Sequence, residues 1–343
     1  MEMNLDILKN LSELPGVPGW EDPVREFVQA QLESLGLSYR GDAMGNVLVH
    51  LRGSGPKLLI DAHMDEIGFY VRYIDDKGFL RLQPAGGFDP KNLLARQVVV
   101  HSRSGDLAGI LNPGGRPVHI ASPEERAKVP ELKTFFVDLV QDPAWVKERV
   151  RVGDPVTLLQ EAGPIGAGFM GKAMDDRASV FLLLELLKIL TGRNLKYDLY
   201  VAFTVQEEVG LRGAMTAAFG VDPEIAIALD TTLAVDLPGI PEDEGVLKFG
   251  GGVGIKVMDS SAISDRGLLL SLVDLAEQKQ IPYQMEILPQ GGTDAGAMQR
   301  VRAGVKAITL SIPTRYIHTV TETVHVADLQ AELDLLLAYL LLD

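Results

Sequence analysis

The chain of 343 residues contains no cysteine, which excludes disulfides, thiolate metal sites and a cysteine nucleophile. Any transition-metal site must therefore be assembled from His, Asp and Glu. Basic residues are in deficit: 32 Lys and Arg stand against 47 Asp and Glu, a net charge of -15. Nucleic-acid binding usually draws on a basic patch, so this balance argues against it. Long apolar runs are missing too. The most apolar stretch, Val180 to Leu190, is interrupted by Glu185 and Lys188, well short of the roughly 18 residues a membrane span needs. The opening MEMNLDILKNLSELPG has no basic start followed by an apolar core, so it does not read as a signal peptide. The expected location is the cytoplasm, without membrane attachment. No internal repeat and no low-complexity tract interrupts the pattern.

What remains is a globular composition, 46% hydrophobic and 23% charged. The length suits two domains, or one large domain carrying an insertion. Residues 24–36 show helical apolar spacing up to Gly36. KLLIDAH (57–63) reads as a buried strand ending in polar residues. From 67 to about 166 the texture changes to short alternating segments such as FYVRYI and RQVVVHS, separated by Gly and Pro turns. VPELKTFFVDL and RVGDPVTLL are expected to continue this small β-barrel-like module. Beyond it, a buried helix (178–190), strands at 197–208 and 225–232, an amphipathic helix (265–279), the strand VKAITLSIP and a helix at 326–342 alternate. The fold class expected is α/β: a mixed, largely parallel sheet flanked by helices, made of residues 1–66 and 167–343, with residues 67–166 inserted.

Acids and histidines stand where the predicted strands end, the usual location of a site in an open α/β sheet. His63 and Asp65 lie two apart and share a face on extended chain; a carboxylate beside a ligating imidazole fixes its tautomer. Asp175 and Asp176 open a helix, a position acids also favour for capping and dipole reasons, in which case Arg177 would neutralise one of them. Glu207 and Glu208 follow a buried strand, where paired acids are costly unless cations or water reach them. Asp230 ends the uncharged run IAIAL, and His318 follows RYI. Each has a plain structural reading on its own; their number at strand ends is what a composite metal site requires. His50, His101, His119 and His325 are read as structural.

The segments DAHMDEIGF (61–69), GKAMDDRAS (171–179), QEEVGLRGA (206–214), ALDTT (228–232), GGTDAGA (291–297) and PTRYIHTVTE (313–322) resemble, in order, those of the tetrahedral-assembly dinuclear metallo-aminopeptidases. That family includes bacterial glutamyl aminopeptidases, and some relatives are labelled endoglucanases. The resemblance implies a zinc-exopeptidase-like fold that removes the N-terminal residue from peptides. It implies that His63, Asp175 and Asp230 bind one metal and Asp175, Glu208 and His318 the other, with Asp175 bridging. Glu207 becomes the general base, Asp65 orients His63, and Gly291, Gly292 and Thr293 form a substrate-side loop. Two divalent ions per subunit are implied; the nitrogen and oxygen donors suit zinc first, then cobalt or manganese. The inserted module is implied to mediate dimers that assemble into a hollow tetrahedral dodecamer. The sequence departs from the family after His318, where Thr319 precedes Val320 rather than proline.

Three other functions fit parts of the pattern. A deacylase of N-acyl amino acids would use the same metal scaffold. A glycosidase would use paired carboxylates without metal. A non-catalytic binder would hold metal without turnover.

Overall fold

The computed structural model describes residues 3–342; positions 1, 2 and 343 of the expected α/β unit lie outside them. The chain enters through helices Leu5–Glu13 and Asp22–Ser34, then strands β1 (Tyr39–Gly41), β2 (Val47–Leu51) and β3 (Lys57–His63). It next forms a closed six-stranded barrel of β4 (Gly68–Ile74), β5 (Leu80–Ala85), β6 (Arg96–Ser102), β7 (Gly105–Pro113), β8 (Phe135–Asp138) and β9 (Pro155–Leu158). It returns through β10 (Gly163–Ile165), β11 (Gly168–Gly171), β12 (Asp198–Thr204), β13 (Ile225–Leu233), β14 (Val253–Met258), β15 (Tyr283–Ile287), β16 (Lys306–Arg315) and β17 (Glu322–His325).

The large sheet has 11 strands, ordered β1-β2-β12-β3-β13-β16-β17-β11-β10, with β14 joining β16 and β15 joining β14. Its centre is parallel: β12, β3, β13 and β16 run side by side, and antiparallel strands extend both edges. Parallel strands covered on both faces read as continuous apolar runs. Accordingly every residue from Leu58 to His63 is buried. One face is covered by helices Met174–Leu190 and Val326–Leu340, whose Phe181, Leu183, Leu333 and Leu336 pack with Ile60 and Phe203. Small residues cover the other face, where Ala214, Ala217 and Ala218 meet Leu59 and Ala226. The barrel has its own core, with Phe69, Val71, Val98, Val100, Val137 and Val156 facing inward on alternating positions.

Two boundaries differ from the sequence reading. The strand expected over 197–208 stops at Thr204, because backbone amides beyond it bond to side chains instead of to a neighbouring strand. The segment expected to be barrel up to 166 includes β10, which pairs with β11 on the large sheet. Among the described residues, no helix is long and apolar enough to cross a membrane.

Phe203 is fully buried on β12 between Val47 and Ala62 of the flanking strands. Phe203→Ala removes a large side chain from a close-packed site and is expected to lower unfolding free energy by about 3–5 kcal/mol, read by chemical denaturation.

Candidate metal centre

The parallel strands β12, β3, β13 and β16 end on the same side of the sheet, and the acids and histidines collect there. His63 closes β3, Asp230 lies near the end of β13, Glu207 and Glu208 follow β12, and His318 follows β16. Asp175 and Asp176 come from the start of Met174–Leu190, where their backbone angles (φ -78, ψ 102 and φ -120, ψ 33) are not yet helical. Two tight groups of donors result: His63, Asp176 and Asp230 in one, and Asp175, Glu208 and His318 in the other, with donor atoms within 4.8 Å of one another in each. Asp175 joins the two. Its Oδ1 lies 3.2 Å from His63 Nε2, and its Oδ2 lies 3.5 Å from His318 Nε2. Glu208 Oε1 lies 3.2 Å from the same His318 nitrogen. Asp176 is used differently from its neighbour: its Oδ2 accepts the main-chain N–H of His63 at 3.2 Å.

Other acids hold this arrangement by accepting backbone N–H groups. Asp65 accepts from Glu207 through Oδ1 (3.0 Å) and from Glu208 through Oδ2 (3.1 Å), which shapes the turn after β12. Its carboxylate stands 3.5 Å from His63 Nδ1, whereas its own carbonyl oxygen is nearer, at 3.1 Å. Glu322, absent from the sequence reading, accepts from His318 N at 2.6 Å and from Asp175 N at 3.0 Å, so one carboxylate fixes two distant donors. Glu21 accepts from Gly19 (2.7 Å) and Gln206 (3.2 Å). Each pairs a nearby N–H, His318 for Glu322 and Gly19 for Glu21, with one that only the tertiary fold brings, Asp175 and Gln206 respectively, so no spacing rule marks the role of either.

Arg177 does not pair with Asp175 or Asp176. It donates to the carbonyls of Met64 (2.7 Å), Leu11 (2.6 Å) and Leu14 (3.1 Å), bracing the entry to the helix. Lys172 binds Glu66 at 2.7 and 2.8 Å beside it. Of the remaining four histidines, His50 bonds Asp198, His101 bonds Asp106 and Thr157, His325 caps the last helix, and His119 is exposed on the inserted segment.

Burial opposes a charge on His318, yet Asp175 and Glu208 push its pKa up to about 12. His63 is raised well above its usual value in the same way, Asp175 and Asp65 outweighing its burial. Burial would raise Asp175, but the two imidazoles hold it well below the carboxylate range. Burial is the leading cause that pushes Asp176, Glu207, Glu208 and Asp230 upward. So many acids around two imidazoles form a site whose charge is balanced by protons or by cations. The donors are nitrogen and oxygen only, and they converge in two adjacent groups, with Asp175 of the second also reaching His63 of the first; they fit a pair of divalent ions.

Asp175, Glu207, Glu208, Asp230 and His318 line a cavity of about 520 Å³, together with Gly291, Gly292 and Thr293. The Thr293 hydroxyl is engaged by Thr309 (2.7 Å) and Asp259 (3.2 Å). The barrel reaches the same cavity through the turn after β5. A Cβ on Gly86 would lie 3.1 Å from Glu208 Oε2, and one on Gly87 would lie 3.5 Å from His318 Nδ1. Val320 is 2% exposed and packs into the barrel core.

The chain matches the model of the M42 glutamyl aminopeptidase family over residues 45–335. It is 34% identical to a putative aminopeptidase of Acetivibrio thermocellus, with 96% of each chain covered. Its fold superposes on an aminopeptidase of Desulfurococcus kamchatkensis with a TM-score of 0.91 at 37% identity, covering 98% of this chain and 93% of that one. It also superposes on the Pyrococcus horikoshii TET1 peptidase, which can assemble into a tetrahedron or a large octahedral shell, with a TM-score of 0.88 at 31% identity and 97% and 98% coverage.

Metal ligands must shed their protons to bind, and here the histidines and several acids hold protons with raised affinity. As pH falls, more of these groups are protonated, so zinc affinity is expected to weaken by about tenfold or more from pH 8 to pH 6. Chelator competition at the two pH values measures this; equal affinities would contradict the site described.

Proposed function

The chain belongs to the M42 glutamyl aminopeptidase family, and from that membership we propose how its own residues divide the work of removing the N-terminal residue from peptides. His63, Asp175 and Asp230 would hold one divalent ion, and Asp175, Glu208 and His318 the other. The observation that carries this reading is Asp175, whose two carboxylate oxygens each approach a different histidine. When bound, two such ions polarise a peptide carbonyl and acidify a water.

Glu207 is the group left to move protons. It lines the cavity, and no partner occupies its side chain among the described hydrogen bonds and ion pairs. Burial raises its proton affinity, which suits a carboxylate that takes a proton from water and returns it to the leaving amine. Asp65 is its positioning residue, since it grips the main chain of Glu207 and Glu208, and it also steadies His63. The turn Gly291–Gly292–Thr293 is assigned to the substrate side of the cavity; with the threonine hydroxyl spent internally, it would act through its backbone.

Zinc is the proposed ion, with cobalt or manganese as substitutes, because imidazole and carboxylate donors accept all three. We extend the self-association of the Pyrococcus horikoshii peptidase to this chain, with the barrel as its dimerisation module and a tetrahedral dodecamer as the assembly. A cytoplasmic location and short peptides as substrates belong to the same proposal.

Glu207→Gln is expected to retain both metal equivalents and to lose about 10²–10⁴-fold in kcat, as removal of a general base does. Near wild-type turnover would refute that role. Asp175→Asn is expected to lose both metals together, measured as bound metal per chain after dialysis. Loss of a single equivalent would show that Asp175 is not shared.

A further inference from the structure

The cavity beside the metal centre has one charged wall and one neutral wall. The charged wall consists of the acids already assigned to ions and proton transfer. The rest is lined by Leu211, Leu233, Leu288 and Ile317, together with Thr232 and Gln290. No lysine or arginine among the described residues lines it. Of the cations on its neighbouring strands, Arg315 binds Asp236 at 2.9 Å and Lys256 binds Glu286 at 2.9 Å. Thr232 likewise spends its hydroxyl on Glu286, at 2.6 Å.

From this lining we infer that the cavity selects peptides whose N-terminal side chain is neutral and aliphatic, leucine or methionine, with Leu211, Leu233, Leu288 and Ile317 as the selecting residues. The inference rests on the aminopeptidase reading above. A glutamyl side chain entering the cavity would lose water and meet no positive partner beyond the metal centre. A lysyl side chain would find the acids engaged by ions. An aliphatic side chain loses nothing by leaving water and gains apolar contact. The match to a family described by glutamyl specificity therefore does not carry the glutamyl preference to this chain.

Leu233 offers the separating substitution. It is 38% exposed, so a longer polar side chain there has room without disturbing the core. The test uses the full chain loaded with zinc or cobalt and a panel of Leu, Met, Ala, Glu and Lys 4-nitroanilides. Leu and Met are expected to exceed Glu and Lys by about tenfold or more in kcat/KM, the discrimination that a hydrophobic pocket supplies. Calorimetry with free L-leucine, L-glutamate and L-lysine should give the same order of binding, independent of turnover. Leu233→Arg is expected to raise the Glu to Leu ratio by about tenfold or more.

A wild-type preference for Glu or Lys would overturn the selectivity and leave the aminopeptidase reading intact. An unchanged ratio in a Leu233→Arg chain of native stability would remove Leu233 from the selecting wall. Absence of turnover on every substrate, with two metals bound, would overturn the aminopeptidase reading and this inference with it.

Discussion

The placement of a single carboxylate governs the rest of this structure. Asp175 stands between two histidines that arrive from separate strands, one oxygen toward each. Left alone, a buried aspartate next to Asp176, Glu208 and Asp230 would be driven toward its neutral form. The imidazoles reverse that, and the carboxylate stays ionised between them.

The arrangement is held by acids that serve the backbone. Glu322 fixes the main chain of His318 and of Asp175 at once; burial, its leading influence, lifts its pKa to about 8. Asp65 and Glu21 do the same for the turn after β12. Glu21 is likewise raised by burial, to about 7. On the far side, Arg177 ties the helix entry to three carbonyls, and Lys172 neutralises Glu66. Fixed donors cost no reorganisation when a ligand arrives, which is the physical advantage of spending so many buried charges on posture.

Much of this was legible in the sequence, and the divide follows range. KLLIDAH announced β3 because a strand covered on both faces must be apolar throughout. The barrel announced itself through alternation, since one side of each strand faces its core. The donors at strand ends followed from the topology of parallel sheets. Strands β14 and β15 left no comparable signal: both are short, and each carries an acid or a lysine, Lys256 and Glu286, whose pairing is visible only in three dimensions. Glu322 and Glu21 were invisible for the same reason, because accepting a backbone N–H leaves no periodicity. Arg177 looked like a partner for its neighbours along the chain, and its partners turned out to be carbonyls more than 100 positions away in sequence, at Met64, Leu11 and Leu14.

The barrel is also part of the catalytic cleft. Gly86, immediately after β5, comes so near Glu208 that a methyl group there would press on it, and a Cβ on Gly87 would stand in van der Waals contact with His318. Val320 anchors the segment following His318 inside the barrel core. The two modules thus share a seam that neither can redraw alone. A chimera exchanging this barrel for that of a relative would inherit a foreign lip on its own catalytic cleft, so the glycine pair and its valine counterpart would have to travel as one cassette.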